Sequence, residues 1–318
     1  MLFELFVYSF VISTFLLVFL IPFLKFLKYG QNIRKEGPQK HLKKQGTPTM
    51  GGVCFVITIL SIFVYYGYKY EIKNFLLYIL LPLTYFVIGL LDDLLIIKKK
   101  KGLGVYSKLF LQIFVAAIYA YLIYLYKFDT KIYLFNKVFD LKWGYGLFVL
   151  LIFLATTNAV NLSDGIDGLA SGLSIICLIS ISIISFVRKN SDVLVFSLIT
   201  ISSLMAFLCF NKNPAKVFMG NTGSLFLGAV IANLMILLKL ELYLIILGFV
   251  FVLEALSVMI QVTYFKITKG KRIFLMTPIH HHFELKGYNE WQVDFLFWFM
   301  ASLFAIITLL MVLWNTYY

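Results

Sequence analysis

Apolar segments of about 18 residues or more recur along the whole length of this 318-residue chain. Each is long enough to cross a hydrocarbon core of roughly 30 Å as a helix. Only 14% of the residues are charged, whereas a soluble globular domain carries roughly a quarter. A membrane β-barrel would show short alternating strands instead. The chain is therefore predicted to be an all-α polytopic integral membrane protein that forms a single transmembrane domain over residues 1–318.

Ten transmembrane spans are predicted, and the first is too long for the apolar region of a signal peptide. Their approximate limits are 4–27, 51–68, 75–96, 106–126, 145–158, 168–187, 193–210, 222–238, 242–266 and 293–316. An even number of spans places both termini on the same side of the membrane. Between spans four and five, residues 127–144 alternate apolar and polar side chains around Asn136 and Lys137, which predicts a short hairpin.

The distribution of Lys and Arg predicts the orientation of the chain. Nineteen of the 28 basic residues lie in or beside the connections that follow odd-numbered spans, about 28–50, 97–105, 159–167, 211–221 and 267–292. Basic residues accumulate on the cytoplasmic side, so these connections are predicted to be cytoplasmic and both termini outside. Topogenesis and anionic lipid explain most of the net charge of +13, and no nucleic acid partner is expected.

Acidic residues are concentrated at the predicted cytoplasmic ends of two spans. Ionisable residues at membrane depth are costly and indicate function. Asp92 and Asp93 lie at the end of span three. Asp164 and Asp167 lie where span five ends and span six begins, so a helical first turn would place both on one face. Two structural alternatives stay open: Asp164 and Asp167 could form a capping box for span six, and one of the paired aspartates could face water.

Three further segments of the predicted cytoplasmic face carry unusual polar patterns. "MGNTGS" at 219–224 offers free backbone N–H groups at a helix start, an arrangement that binds phosphate. The first loop joins basic residues to "GTPTMGG" at 46–52, and "TPIHHHFELKG" at 277–287 holds three consecutive histidines. Three consecutive histidines cannot easily converge on one zinc ion. Carboxylates, lysines and Gly-rich turns together suit a Mg²⁺-diphosphate substrate.

Five segments resemble the signature set of the phospho-N-acetylmuramoyl-pentapeptide transferase family, within the polyprenyl-phosphate N-acetylhexosamine-1-phosphate transferase superfamily. They are "GPQKHLKKQGTPTMGG", "GLLDDLLIIKKK", "TTNAVNLSDGIDGLASG", "VFMGNTGSLFLG" and "TPIHHHFELKG". The resemblance covers essentially the whole chain. The paired aspartates and "NAVNLSDGIDG" occur across the superfamily, whereas "GTPTMGG" and "PIHHHFELKG" are characteristic of the muramoyl-pentapeptide family.

The resemblance implies a Mg²⁺-dependent phosphoglycosyl transferase of peptidoglycan synthesis in the bacterial inner (cytoplasmic) membrane. Phospho-MurNAc-pentapeptide would move from UDP-MurNAc-pentapeptide to undecaprenyl phosphate, giving lipid I and UMP. The implied partners are these two substrates and the lipid bilayer, with a homodimer as an option. Two alternatives stay open: a HexNAc-1-phosphate transferase of another pathway, and a lipid-linked sugar transporter, although transporters usually carry their ionisable sites near the bilayer midplane.

The resemblance also implies roles for individual residues, with Asp92 matching the family's candidate general base and Asp93 its partner. The implied catalytic residues are Asp92, Asp93, Asp164 and His280. The implied substrate-binding residues are Lys44, Thr49, Lys108, Asn161, Gly165, Ile166, Asp167, Phe218 (on uracil), Ser224, Gln261 and His281. The implied metal ligands are Asn161 and Asn221, and His282 is expected to be structural. The family normally has Asp at position 221, so Asn221 is expected to bind Mg²⁺ more weakly.

Overall fold

The computed structural model describes residues 1–27, 29–30, 44–134 and 137–317, without the side chains of 315–317. Within these ranges the helices are α1 (Leu2–Phe26), α2 (Gly52–Tyr70), α3 (Phe75–Lys99), α4 (Val105–Leu125), α5 (Gly144–Ser163), α6 (Leu169–Val187), α7 (Ser191–Asn211), α8 (Gly220–Leu237), α9 (Leu244–Leu247), α10 (Phe249–Ile267), α11 (Ile279–Leu285) and α12 (Glu290–Tyr317). A 3₁₀ turn, Glu241–Tyr243, precedes α9, and the strands are β1 (Lys131–Leu134) and β2 (Lys137–Asp140).

The predicted all-α membrane fold is confirmed. Among the described residues, ten helices are long and apolar enough to cross a membrane, namely α1–α8, α10 and α12. The predicted hairpin is confirmed as well, because β1 and β2 pair antiparallel with Lys131 opposite Asp140. The basic loop 31–43 and Asn136 of the predicted turn lie outside the described residues. The side of the membrane that each loop faces stays a prediction.

Three details of the predicted helix pattern are wrong. Helix α5 continues to Ser163 instead of ending at 158, because Asn158 bonds the Leu154 carbonyl (2.8 Å) and fits inside the helix. The predicted span 242–266 is divided at Gly248 into α9 and α10. The three histidines lie on α11 and not in a loop; Pro278 immediately precedes this helix, and the fixed φ of proline suits a helix start.

Helix α8 is the most buried of the spans and packs against α3 and α5. Its interior residues from Thr222 to Ile236 are all buried. Helices α3 and α8 are in tight contact at Gly89, where a Cβ would overlap the backbone carbonyl of Asn221. This close approach brings the end of α3, with its two aspartates, against the start of α8.

A buried side-chain amide of α8 donates hydrogen bonds to backbone carbonyls of α3 beside a proline. Pro82 lies inside α3 and has no N–H to donate to the carbonyl of Tyr78, one turn earlier. Asn233 of α8 donates its Nδ2 to the carbonyls of Leu77 (3.0 Å) and Tyr78 (3.1 Å), and its Oδ1 accepts from Tyr119 (2.5 Å). One side chain of α8 therefore satisfies the carbonyl that Pro82 leaves without a donor in α3.

The hairpin and the paired aspartates lie at opposite ends of the bundle. Lys239, just after α8, donates to the backbone carbonyl of Asp129 (2.6 Å) and pairs with Glu241 (3.3 Å). Burial of Lys239 lowers the pKa of its ammonium, and burial of Glu241 raises the pKa of its carboxyl. Helix α8 has 18 residues, so about 27 Å separates this ion pair from the helix start.

Candidate functional site

Asp93 holds the start of α8. Its Oδ1 accepts hydrogen bonds from the backbone N–H (3.1 Å) and the Nδ2 (3.0 Å) of Asn221. Its Oδ2 accepts from the backbone N–H (2.9 Å) and the Oγ1 (2.6 Å) of Thr222. The first N–H groups of a helix have no partner within the helix and favour negative charge. Asp93 satisfies two of them from a neighbouring helix.

Asp92 points away from Asp93 and joins α4. Its Oδ1 accepts from the backbone N–H of Leu103 (2.7 Å), and its Oδ2 accepts from the Lys108 ammonium (3.1 Å). Lys108 also donates to Oδ1 of Asn221 (3.1 Å). Both aspartates are buried, at 5% and 4% exposed. The alternative in which one of them faces water is therefore wrong, because each finds separate protein donors.

Helix α5 completes this group of polar side chains. Asn161 donates its Nδ2 to Oδ1 of Asn221 (2.8 Å) and to Oγ of Ser224 (2.8 Å). Ser224 donates in turn to the carbonyl of Gly220 (3.0 Å), which keeps it on the first turn of α8. We call this group the carboxylate cluster, and its members are Asp92, Asp93, Lys108, Asn161, Asn221 and Ser224.

Asp164 lies in the turn between α5 and α6. It is the C-cap of α5, and Gly168 (φ 87°) directly precedes α6. The predicted capping box and the shared helical face of Asp164 and Asp167 are therefore wrong, because residues 164–168 form a turn. No hydrogen bond or ion pair joins the Asp164 carboxylate to another residue that the structure describes. Burial, followed by the charges of Asp93 and Asp167, raises its pKa well above the ordinary carboxyl value.

Asp167 belongs to a second group, which we call the lysine cluster: Lys44, Asp167, Asn213 and Glu290. Lys44 Nζ lies 2.7 Å from Oδ1 of Asp167 and 2.6 Å from Oε2 of Glu290. Oδ2 of Asp167 accepts from Asn213 Nδ2 (3.2 Å) and from the Ala215 N–H (2.9 Å). Burial and then the Glu290 charge raise the pKa of Asp167, while Lys44 opposes them. The charges of both clusters act on Asp164, which therefore lies near each.

Segment 48–52 runs beside the residues that precede α8. The N–H of Phe218 donates to the carbonyl of Pro48 (2.8 Å), and the N–H of Gly51 donates to the carbonyl of Phe218 (2.8 Å). Thr49 is buried, and its N–H donates to the carbonyl of Tyr29 (3.0 Å). The backbone thus brings Thr49 and Phe218 together at the start of α8. Ile166 is buried in the turn after α5.

The three histidines of α11 point at different partners. His280 Nδ1 lies 3.1 Å from Oε2 of Glu254, and His281 Nδ1 lies 2.7 Å from Oε2 of Glu284. His282 Nδ1 accepts from the N–H of Leu275 (3.1 Å), which supports its predicted structural role. In the described part of the chain, no three His, Cys, Asp or Glu side chains are grouped to hold a metal ion.

Gln261, near the end of α10, belongs to neither the carboxylate cluster nor the lysine cluster. Its Oε1 accepts from the backbone N–H groups of Ile273 and Phe274, both at 3.0 Å. It therefore holds the segment that follows α10. Gln261 also lines a cavity of about 330 Å³. The other lining residues are Val262, Phe265, Lys266, Arg272, Leu275, Met276 and Thr277.

Sequence analysis missed Glu254, Glu290 and Asn213. Glu254 carried a usable signal, since it is an acidic residue in the middle of an apolar span and such residues indicate function. Glu290 and Asn213 carried none, because an acidic residue at a helix start and an amide in a loop are common on protein surfaces. Only the tertiary fold brings them to Lys44 and Asp167.

Comparison with known proteins decides the family. The chain matches glycosyl transferase family 4 over residues 75–239 and a phospho-N-acetylmuramoyl-pentapeptide-transferase signature over 44–56. It is 42% identical to the phospho-N-acetylmuramoyl-pentapeptide-transferase of Geobacillus thermodenitrificans and 44% identical to that of Bacillus subtilis, over 96% of both chains. The relative from Listeria welshimeri is 44% identical over 98% of both chains. The chain belongs to the phospho-N-acetylmuramoyl-pentapeptide-transferase family.

Membership of this transferase family confirms the resemblance inferred from the five segments. The match over 75–239 runs from α3 to α8 and contains all of the carboxylate cluster. The signature over 44–56 contains Lys44 and Thr49. The roles of individual residues stay predictions.

Proposed function

We propose that this chain transfers phospho-MurNAc-pentapeptide from UDP-MurNAc-pentapeptide to undecaprenyl phosphate, releasing UMP and forming lipid I. The observation that carries the proposal is the buried carboxylate cluster where α3, α4, α5 and α8 meet, in a chain 44% identical to a phospho-N-acetylmuramoyl-pentapeptide-transferase. The cluster lies at helix ends, which suits a reaction between a water-soluble nucleotide and a lipid headgroup.

In this proposal the two clusters bind different parts of the nucleotide substrate. In the proposal, Lys108 at the carboxylate cluster binds the diphosphate. Its ammonium is held in the cluster by Oδ2 of Asp92 and Oδ1 of Asn221, each at 3.1 Å. Lys44 and Asp167 would bind the uridine portion together with Thr49 and Phe218, whose ring would stack on uracil. Burial in this region strengthens polar contacts, since the local dielectric is lower than in water.

The reaction we favour is direct attack by the lipid phosphate on the β-phosphorus, the phosphorus attached to the sugar. A phosphate monoester has a second pKa of about 6, so the nucleophile is largely dianionic at neutral pH. Because the nucleophile is already largely deprotonated, general base catalysis by a residue such as Asp92 contributes the smaller part. Neutralising the charge on the UMP leaving group contributes more. In the proposal Lys108 takes that role, and His280 and His281 donate to phosphate oxygens.

A covalent route, in which an Asp attacks the substrate first, is the alternative mechanism. Exchange of labelled UMP into UDP-MurNAc-pentapeptide without lipid acceptor separates the two. Direct attack predicts no exchange until undecaprenyl phosphate is added. Acceptor-independent exchange would overturn it.

Mg²⁺ fits this site through Asp164. Asp92 and Asp93 each accept protein hydrogen bonds on both oxygens, and Asn221 Oδ1 already accepts from Lys108 and Asn161. The Asp164 carboxylate, beside this cluster, has no such partner among the described residues, and neither has the buried Asp294 carboxylate near Gly168, on the side of the lysine cluster. One carboxylate plus substrate phosphates and water is a usual environment for Mg²⁺. Asp164, with Asn161 and Asn221 as neutral oxygen ligands, would hold the ion, and bound Mg²⁺ would neutralise diphosphate charge.

The proposed function is tested with purified protein, undecaprenyl phosphate and two labelled donors in parallel. UDP-MurNAc-pentapeptide is expected to give a lipid-linked product and UMP in the presence of Mg²⁺. UDP-GlcNAc is expected to give none, which would exclude the alternative HexNAc-1-phosphate transferase. A lipid-linked product from UDP-GlcNAc alone would overturn the proposed donor.

The setting of the reaction also belongs to the proposal. We propose that the ten spans act as one transmembrane domain in the bacterial cytoplasmic membrane, with the carboxylate cluster on the cytoplasmic side. The support is the excess of basic residues in the connections on that end of the spans. A homodimer stays a prediction.

A further inference from the structure

A buried carboxylate–imidazole pair, Glu254 and His280, lies beside the proposed site, and its carboxylate has no role in the reaction described above. Glu254 lies in α10 and His280 in α11, and both side chains are fully buried. Oε2 of Glu254 lies 3.1 Å from Nδ1 of His280. Within the described part of the chain, Oε1 of Glu254 and Nε2 of His280 have no hydrogen-bond partner. A buried polar atom without a partner is unfavourable, so its retention needs a reason.

The free nitrogen of His280 faces the turn that carries Asp164. A Cβ added at Gly165 would overlap Nε2 of His280, so the imidazole lies directly against the Gly165 backbone. Gly165 itself is exposed. Nε2 of His280 therefore lies against the exposed backbone of the turn that carries Asp164, so a ligand bound beside Asp164 would come close to it.

We propose that Glu254 is a positioning residue for the transfer reaction and acts through His280. The inference rests on the proposed function. The Glu254 carboxylate accepts a hydrogen bond from Nδ1–H of His280 and thereby fixes the plane of the ring. In the doubly protonated ring, Nε2–H is then left to donate a hydrogen bond to a phosphate oxygen of the substrate. Partners that orient a histidine in this way, as for metal-bound histidines, typically contribute 10- to 100-fold to activity.

Two substitutions at position 254 separate positioning from packing. Glu254→Leu keeps an apolar group of similar size and removes the acceptor, whereas Glu254→Gln keeps an amide oxygen that can accept the Nδ1–H. We expect Glu254→Leu to lower kcat by about 10- to 100-fold, with KM for the nucleotide substrate within about threefold. Glu254→Gln should recover most of the loss. Asn233→Leu, a buried polar-to-Leu change on α8, is the matched control and should keep kcat.

The decisive comparison combines Glu254→Leu with His280→Ala. If Glu254 acts through His280, the double variant is no slower than His280→Ala alone, because coupled residues are not additive. Additive losses, or an unchanged kcat in Glu254→Leu, would overturn the inference. A ¹⁵N spectrum of labelled histidines tests it without any transfer assay: a protonated, slowly exchanging Nδ1 of His280 should be lost in Glu254→Leu. If the unchanged protein lacks the signal of a protonated Nδ1 on His280, the positioning role of Glu254 is also refuted. If the unchanged protein shows this signal but no transfer activity, only the proposed function is refuted.

Discussion

Asn221→Asp introduces the residue that the family resemblance implies at this position, and it places a second carboxylate against Asp93. In the structure, Nδ2 of Asn221 donates to Oδ1 of Asp93 at 3.0 Å. An oxygen in that position would face the Asp93 oxygen without a proton between them. Two unit charges about 4 Å apart repel by about 4 kcal/mol at an effective dielectric of about 20, and the lost hydrogen bond adds about 1 kcal/mol.

Part of this repulsion is offset within the protein. Lys108 already donates to Oδ1 of Asn221 at 3.1 Å, and its bond to a carboxylate would be stronger by about 1 kcal/mol. A net penalty of roughly 4 kcal/mol remains without a cation. Because a divalent ion near both carboxylates relieves it, Asn221→Asp should bind Mg²⁺ up to about 1,000-fold more tightly than the present chain.

The assay is a Mg²⁺ titration of transfer, together with thermal unfolding in EDTA and in Mg²⁺. Asn221→Asp should unfold at a lower temperature in EDTA, recover in Mg²⁺, and reach half-maximal transfer at lower Mg²⁺. Asn158→Asp is the control, since it adds the same charge on α5 at an amide that contacts Gln112 and not Asp93. Superimposable Mg²⁺ titrations of Asn221→Asp and the unchanged chain would refute the reasoning.

Three further substitutions test other parts of the account. Asp92→Asn should lower kcat at least about 100-fold, with an unchanged elution profile in detergent. The control Asp192→Asn, on the first turn of α7, should keep kcat. A kcat of Asp92→Asn equal to that of the unchanged chain would show that Asp92 is not part of the site. Asp167→Asn breaks the pair with Lys44 and should raise KM for the nucleotide substrate about tenfold in steady-state assays, and a change in kcat alone would contradict its binding role. Asn233→Leu should lower the free energy of unfolding by about 1–3 kcal/mol with kcat retained, and an unchanged denaturation midpoint would show that its three hydrogen bonds contribute nothing.

The spans could be predicted because apolar length and charge distribution are properties of the sequence alone. The irregular points could not. Gly248 divides one apolar run into two helices, and Asn158 lies inside α5 although a polar residue at a span end reads as a stop. In both cases the outcome depends on which neighbouring groups satisfy the backbone and the amide, and these neighbours are distant in sequence.

The candidate site, too, could be predicted from the sequence only in part. The residue types and their common end of the bundle followed from sequence, but their individual contacts did not. Asp92 and Asp93 are adjacent, yet one pairs with Lys108 on α4 and the other holds the start of α8. Asp164 and Asp167 are three positions apart, yet a turn between α5 and α6 directs them to different surroundings. The rotation of each helix, set by packing, decides these contacts.

The most direct test of the central claim is the balance between the two products of the purified chain. With labelled UDP-MurNAc-pentapeptide, Mg²⁺ and undecaprenyl phosphate, the account predicts equal amounts of UMP and lipid I, and neither product without the lipid acceptor. The same measurement on Asp92→Asn should give both products at least about 100-fold more slowly. UMP released without a matching lipid product, or full product formation by Asp92→Asn, would contradict the account.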